Sequence, residues 1–106
     1  MKLKINLAYK IKLAPDEKPV SNQEVTQNYL FIAVTSKYPN GLDGTYRRMF
    51  GKIMSKMDDA ITSGAEEIDI ESSELDLIKN AMRDSKFPAP MAYNANLLED
   101  TIEQIK

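Results

Sequence analysis

The chain has no histidine and no cysteine. The first absence removes the side chain whose proton affinity lies nearest neutrality. The second removes the strongest protein nucleophile, and together they remove the usual ligands of zinc and copper. Without cysteine no disulfide braces the fold, which suits a reducing compartment. No run approaches the ~18 apolar residues that a membrane span needs. The opening Met1-Lys2-Leu3-Lys4-Ile5-Asn6 alternates instead of building the apolar centre of a secretory signal. A cytoplasmic protein without a membrane partner is expected.

P-loop, dinucleotide and Ser-x-x-Lys signatures are missing too. Carboxylate pairs remain, and such pairs support glycoside hydrolysis or a magnesium site. Asp58/Asp59, Glu66/Glu67 and Asp69/Glu71 are the candidates. In Glu67-Ile68-Asp69-Ile70-Glu71 the acids alternate with isoleucines, the pattern of a solvated strand face. Adjacent Asp58 and Asp59 on a helix point about 100° apart and do not converge. All read as water-facing surface, so neither an enzyme nor a cofactor is expected.

What the chain does contain is globular: 106 residues, 42% hydrophobic and 28% charged, the size and composition of one domain. Net charge is only −2, but it is divided. Residues 1–57 hold ten Lys/Arg and four Asp/Glu, a net +6; residues 58–106 hold four and twelve, a net −8. Such halves either cancel inside the fold or meet a partner.

Periodicity predicts an α+β domain in the order β-α-α-β-α-α. Leu3, Ile5, Leu7, Tyr9, Ile11 and Leu13 alternate with Lys2, Lys4, Asn6, Ala8, Lys10 and Lys12, which predicts a long strand over Leu3–Leu13. Ser21-Asn22-Gln23-Glu24 reads as a capping box opening a helix, although Tyr29–Thr35 is rich in strand formers. After the turn-rich 38–44 segment, Tyr46, Met49, Phe50, Ile53, Met57, Ala60 and Ile61 form one stripe of a helix over 45–62, ended by Gly64. Met49, Met54 and Met57 would also suit an adaptable contact surface. Glu67–Glu71 predicts a short strand. Ser72 or Ser73 caps a third helix, which Phe87-Pro88-Ala89-Pro90 stops, and Asn96-Leu97-Leu98-Glu99 opens a terminal one.

Two sets of cations are candidate partner-binding residues. Arg47, Arg48, Lys52 and Lys56 follow the predicted turn, the last three at four-residue spacing along one helix face. Lys2, Lys4, Lys10 and Lys12 flank the N-terminal strand, as gatekeepers of its edge or as contacts for an acidic surface. A strand of about 35 Å at ~3.3 Å per residue has too little partner in Glu67–Glu71, so self-association is expected. Gly41-Leu42-Asp43-Gly44 with the basic residues after it resembles the KH module, whose G-x-x-G loop clamps a nucleotide backbone. It departs from that module in the anion Asp43 and in the single strand that follows. A sequence pI near 5.1 also weighs against nucleic acid. The run GLDGTYRRMFGKIMSKMDDAI, then EEIDIESSELDLIKNAM and a Phe-Pro-x-Pro break, resembles small accessory proteins of tailed bacteriophages. That resemblance implies a viral protein that assembles with itself or binds a host protein. The sequence thus favours a non-enzymatic interaction protein, with nucleic-acid binding through the 45–62 helix as the alternative.

Overall fold

The computed structural model describes residues 1–10 and 20–105. They form a mostly helical α+β arrangement of four helices and a two-stranded antiparallel sheet. Strand β1 is Lys2–Lys4 and strand β2 is Glu67–Asp69. The helices are α1 (Asn22–Lys37), α2 (Gly44–Ser63), α3 (Ser72–Asp84) and α4 (Ala92–Glu103). None of the described helices is long and apolar enough to cross a membrane.

Helix α1 is helical despite its strand formers. The Ser21 hydroxyl accepts the Glu24 N–H at 3.1 Å and opens the first turn. Val25, Tyr29, Leu30, Ala33 and Val34 are then all buried, because α1 packs against both α2 and α3. Burial on so wide an arc rewards apolar residues whatever their strand propensity. Helix α2 starts on Asp43, whose carboxylate accepts the Tyr46 N–H at 3.0 Å, and ends on Gly64 at φ 72°. It buries Ile53, Met57 and Ala60, while Met49, Phe50 and Met54 are only half-buried.

The long N-terminal strand is corrected. Among the described residues, ladder pairing is confined to Lys2–Lys4, in the register Lys2↔Asp69, Leu3↔Ile68 and Lys4↔Glu67. Residues 5–10 are not strand, and Ile11, Lys12 and Leu13 lie outside the described residues. The alternation still decided burial: Leu3, Ile5 and Tyr9 are in the core and Leu7 is half-buried. Their backbone is satisfied by other groups. The Ile5 and Asn6 N–H groups donate to the Glu66 carbonyl, and the Thr26 hydroxyl donates to the Ile5 carbonyl at 2.8 Å. Buried Asn94 holds Lys10 at both ends: its Oδ1 accepts the Lys10 N–H at 2.8 Å and its Nδ2 donates to the Lys10 carbonyl. One side-chain amide does there what a neighbouring strand would do. Over the described residues, this segment leaves no surplus of strand that demands a second chain.

Two helix starts also differ from expectation. Glu71, not Ser72 or Ser73, is the N-cap of α3, and its N–H donates to Glu74 Oε1 at 2.8 Å. Helix α4 begins at Ala92 and places Asn96 inside it. A 3-10 turn at Ala89–Met91 carries Pro90 in a position that needs no N–H, and it leads the chain into α4 four residues early.

Ile53 is fully buried at the centre of the α2 stripe. Replacing Ile53 by Ala is expected to cost about 2–4 kcal/mol, read from the shift of a urea unfolding curve at unchanged slope. A loss below ~1 kcal/mol would mean that this face does not carry the core.

Candidate interaction surface

The basic and acidic halves meet inside the fold. Three of the four ion pairs among the described residues cross between them: Lys2–Asp69 at 2.7 Å, Lys56–Glu74 at 2.7 Å, and Lys37–Asp84. The fourth, Arg83–Glu103, lies within the acidic half. On the exposed face of the sheet Lys2 stands opposite Asp69 and Lys4 opposite Glu67. The Lys2 ammonium beside Asp69 holds that carboxyl below the usual carboxylate range, and Asp69 in turn raises the lysine. Lys10 lies over the Tyr93 ring, 4.2 Å from its centre. Lys12 falls outside the described residues. Lys2 and Lys10 are thus met by groups of their own chain.

Lys56 leaves the basic stripe as well. It is half-buried, and its Nζ donates at 2.7 Å to Oε1 of Glu74, a carboxylate 1% exposed. Glu74 sits three residues into the acidic half's own helix, and nothing in its spacing marks it as internal. Its partner Lys56 shares the stripe of Arg48 and Lys52 by spacing alone. The pair ties α2 to the β2–α3 junction, so its role is in the fold. In the open groove between α2 and β2, about 370 Å³, Asp59, Glu67 and Asp69 face Lys56 and Ser63. Two of those charges are already paired, and no cluster of three metal-ligating side chains occurs among the described residues.

Arg47, Arg48 and Lys52 remain. All three are exposed and make no ion pair among the described residues. On the other edge of α2, one turn from Arg47, the seam with α1 shows aromatic side chains to water. Phe31 is 56% exposed, and its ring lies 6.5 Å from that of half-buried Phe50. Tyr38 and Tyr46 make a second pair at 5.7 Å, with Tyr46 exposed. At the far end of the seam the Gln27 amide donates to Asp58 at 2.7 Å. Phe31 lies among the strand formers of α1, whose composition does not single it out. Its signal was helical phase: with Gln27 and Thr35 it follows the side of α1 opposite Val25, Tyr29 and Ala33.

Gly51 lies in the same face of α2, and a side chain there would meet nothing within 4 Å. The G-x-x-G turn, by contrast, has a local purpose. Gly41 adopts φ 95°, Asp43 caps α2, and Gly44 is the first helical residue. An anion in that capping role opposes a bound phosphate.

Two outcomes are expected from unfolding curves. Lys56→Ala should cost about 3 kcal/mol, the low end for breaking a buried pair, because the lysine keeps a third of its surface in water. Arg48→Ala should change stability by no more than about 0.5 kcal/mol, and equal losses at both sites would return Lys56 to the free set. In dilute solution Gly51→Ala should stabilise the fold by about 1 kcal/mol, since the interior of a helix favours alanine and the site has room. A destabilised variant would show that the chain itself needs that glycine.

None of the protein-family models, curated proteins or solved structures compared with this chain matches it.

Proposed function

We propose that the chain is a non-enzymatic protein-interaction and assembly domain that self-associates through the face shared by α1 and α2. One observation carries the reading: an exposed phenylalanine of α1 packs tilted against a second aromatic ring on α2, about one turn along α2 from exposed Arg47. Aromatic and arginine side chains are the residues enriched where protein interfaces are tightest, and a ring in water gains most from being covered. The resemblance to small phage accessory proteins, which assemble or bind a host protein, accords with this reading.

Nucleic-acid binding is the second reading, favoured by exposed Arg47, Arg48 and Lys52 near Tyr46. It is the weaker of the two. Loss of Lys56 to Glu74 shortens the basic stripe, and Asp58 and Asp59 lie on the same helix.

Light scattering at 0.1 M NaCl separates them when run beside gel mobility with DNA and RNA. The wild-type chain is expected to exceed 12.0 kDa, and Phe31→Asp to run as a monomer with unchanged circular dichroism. A wild type that stays monomeric at high concentration overturns self-association. A mobility shift that is lost in Arg48→Glu/Lys52→Glu and weakens steeply with salt would favour nucleic acid.

A further inference from the structure

The charges of α2 run against its own dipole. Arg47 and Arg48 lie near its N-terminus, which carries partial positive charge, and Asp58 and Asp59 lie toward its C-terminus, which carries partial negative charge. The first turn holds no acid and the last turn no base. Gly51 adds a second cost, since an interior glycine weakens a helix and nothing within the described chain occupies its space. One arginine and one aspartate share a stripe with the glycine, while Arg48 and Asp59 lie about 100° round the helix. Arg47, Gly51, Met54 and Asp58 follow the spacing four, three, four, so at 100° per residue they share about 60° of the helix surface. Arg47, Gly51 and Asp58 are exposed and Met54 is half-buried.

Resting on the reading above, we infer that α2 docks antiparallel on α2 of a second copy across a two-fold axis between Gly51 and Met54. In this register Arg47 faces Asp58 of the partner subunit, and Met54 enters the space over Gly51 of the partner subunit. The symmetry makes each contact twice. Each arginine then meets an aspartate of the opposite helix, so charges that stand unpaired along one helix are matched in the pair. The seam spans about 16 Å at 1.5 Å per residue. Asp58 is prepared for it: one carboxylate oxygen accepts the Gln27 amide at 2.7 Å, which leaves the charge in place and the group oriented. Phe31, against Phe50 on the α1 side of the seam, is covered as the copies close. A two-fold contact of this kind is closed, whereas pairing the basic part of one copy with the acidic groove of the next runs head to tail and continues.

Charge reversal tests the register on the full chain. Sedimentation equilibrium at 0.1 M NaCl should give two chains of 12.0 kDa and nothing larger. Arg47→Asp alone and Asp58→Arg alone each oppose like charges twice, and each should raise the dissociation constant by about tenfold or more. The double variant R47D/D58R restores opposite charges across the axis and should return the constant to near wild type, with circular dichroism unchanged throughout. Gly51→Gln, neutral and compatible with a helix, should also weaken the dimer by filling the space that Met54 enters. If wild type associates and Phe31→Asp abolishes it while neither single reversal matters, the two-fold register falls and the interaction face stands. A double variant as weak as the singles also overturns the pairing. So does a mass that keeps growing with concentration, which indicates head-to-tail assembly. A wild-type monomer overturns both this pairing and self-association through the face.

Discussion

A carboxylate 1% exposed is tolerated only if its charge is matched. Glu74 Oε1 answers that demand twice, accepting the Lys56 ammonium at 2.7 Å and the Glu71 N–H at 2.8 Å. The second bond helps start α3, the helix that packs against α1, α2 and α4. The first reaches back to α2 and draws Lys56 out of solvent. Oε2 has no partner among the described residues, which leaves the Lys56 contact as the charge compensation for the group. From this point the order of the helices follows. With α2 tied to the β2–α3 junction, β2 lies against α2, and β1 adds to β2 with each lysine set against an acid.

The division between a basic and an acidic half of the chain is therefore mostly a device for joining one half to the other. Lys2, Lys37 and Lys56 each meet a carboxylate from beyond residue 58. Exposed pairs such as Lys2–Asp69 contribute little to stability, but opposite charges in register also disfavour the slipped or swapped pairing of a three-residue strand. The charges of α2 other than Lys56 have a different character, because they stand in an order that the helix itself disfavours.

Much of the architecture was legible from the sequence, and the failures share a cause. Ser21, Asp43 and Gly64 act within one turn of their own position, so local chemistry set the limits of α1 and α2. The apolar period of α2 likewise needed no knowledge of what it packs on. The N-terminal alternation reported burial faithfully, but which group satisfies a backbone N–H is a long-range matter. Asn94 lies 84 residues from the Lys10 it clamps, and no window of sequence contains both. The spacing of Asn96 to Glu99 has the form of a cap, but Pro90 starts the turn that leads into α4 before Asn96 is reached. Lys56 looked like Lys52, one turn earlier on the same stripe; only the arrival of Glu74 from α3 distinguishes them. The candidate surface was half legible for the same reason: its cations lay on a readable helix face, but Phe31 belongs to it only because α1 and α2 pack with Phe31 beside Phe50.

What distinguishes a protein partner from a polyanion on this surface is the order of charges along α2. A groove that follows a phosphate backbone gains from every cation and loses from every anion near it. Here the cations stop at Lys52, Lys56 is neutralised, and Asp58 and Asp59 begin less than two turns beyond Lys52. A phosphate chain lying along the helix would meet repulsion over its second half, with Asp43 repelling it at the capping turn. A helix laid antiparallel meets the opposite sign at both ends, and the gap left by Gly51 admits a side chain where two backbones come closest. The features that weaken α2 as an isolated helix are those that a second, inverted copy of it would complement.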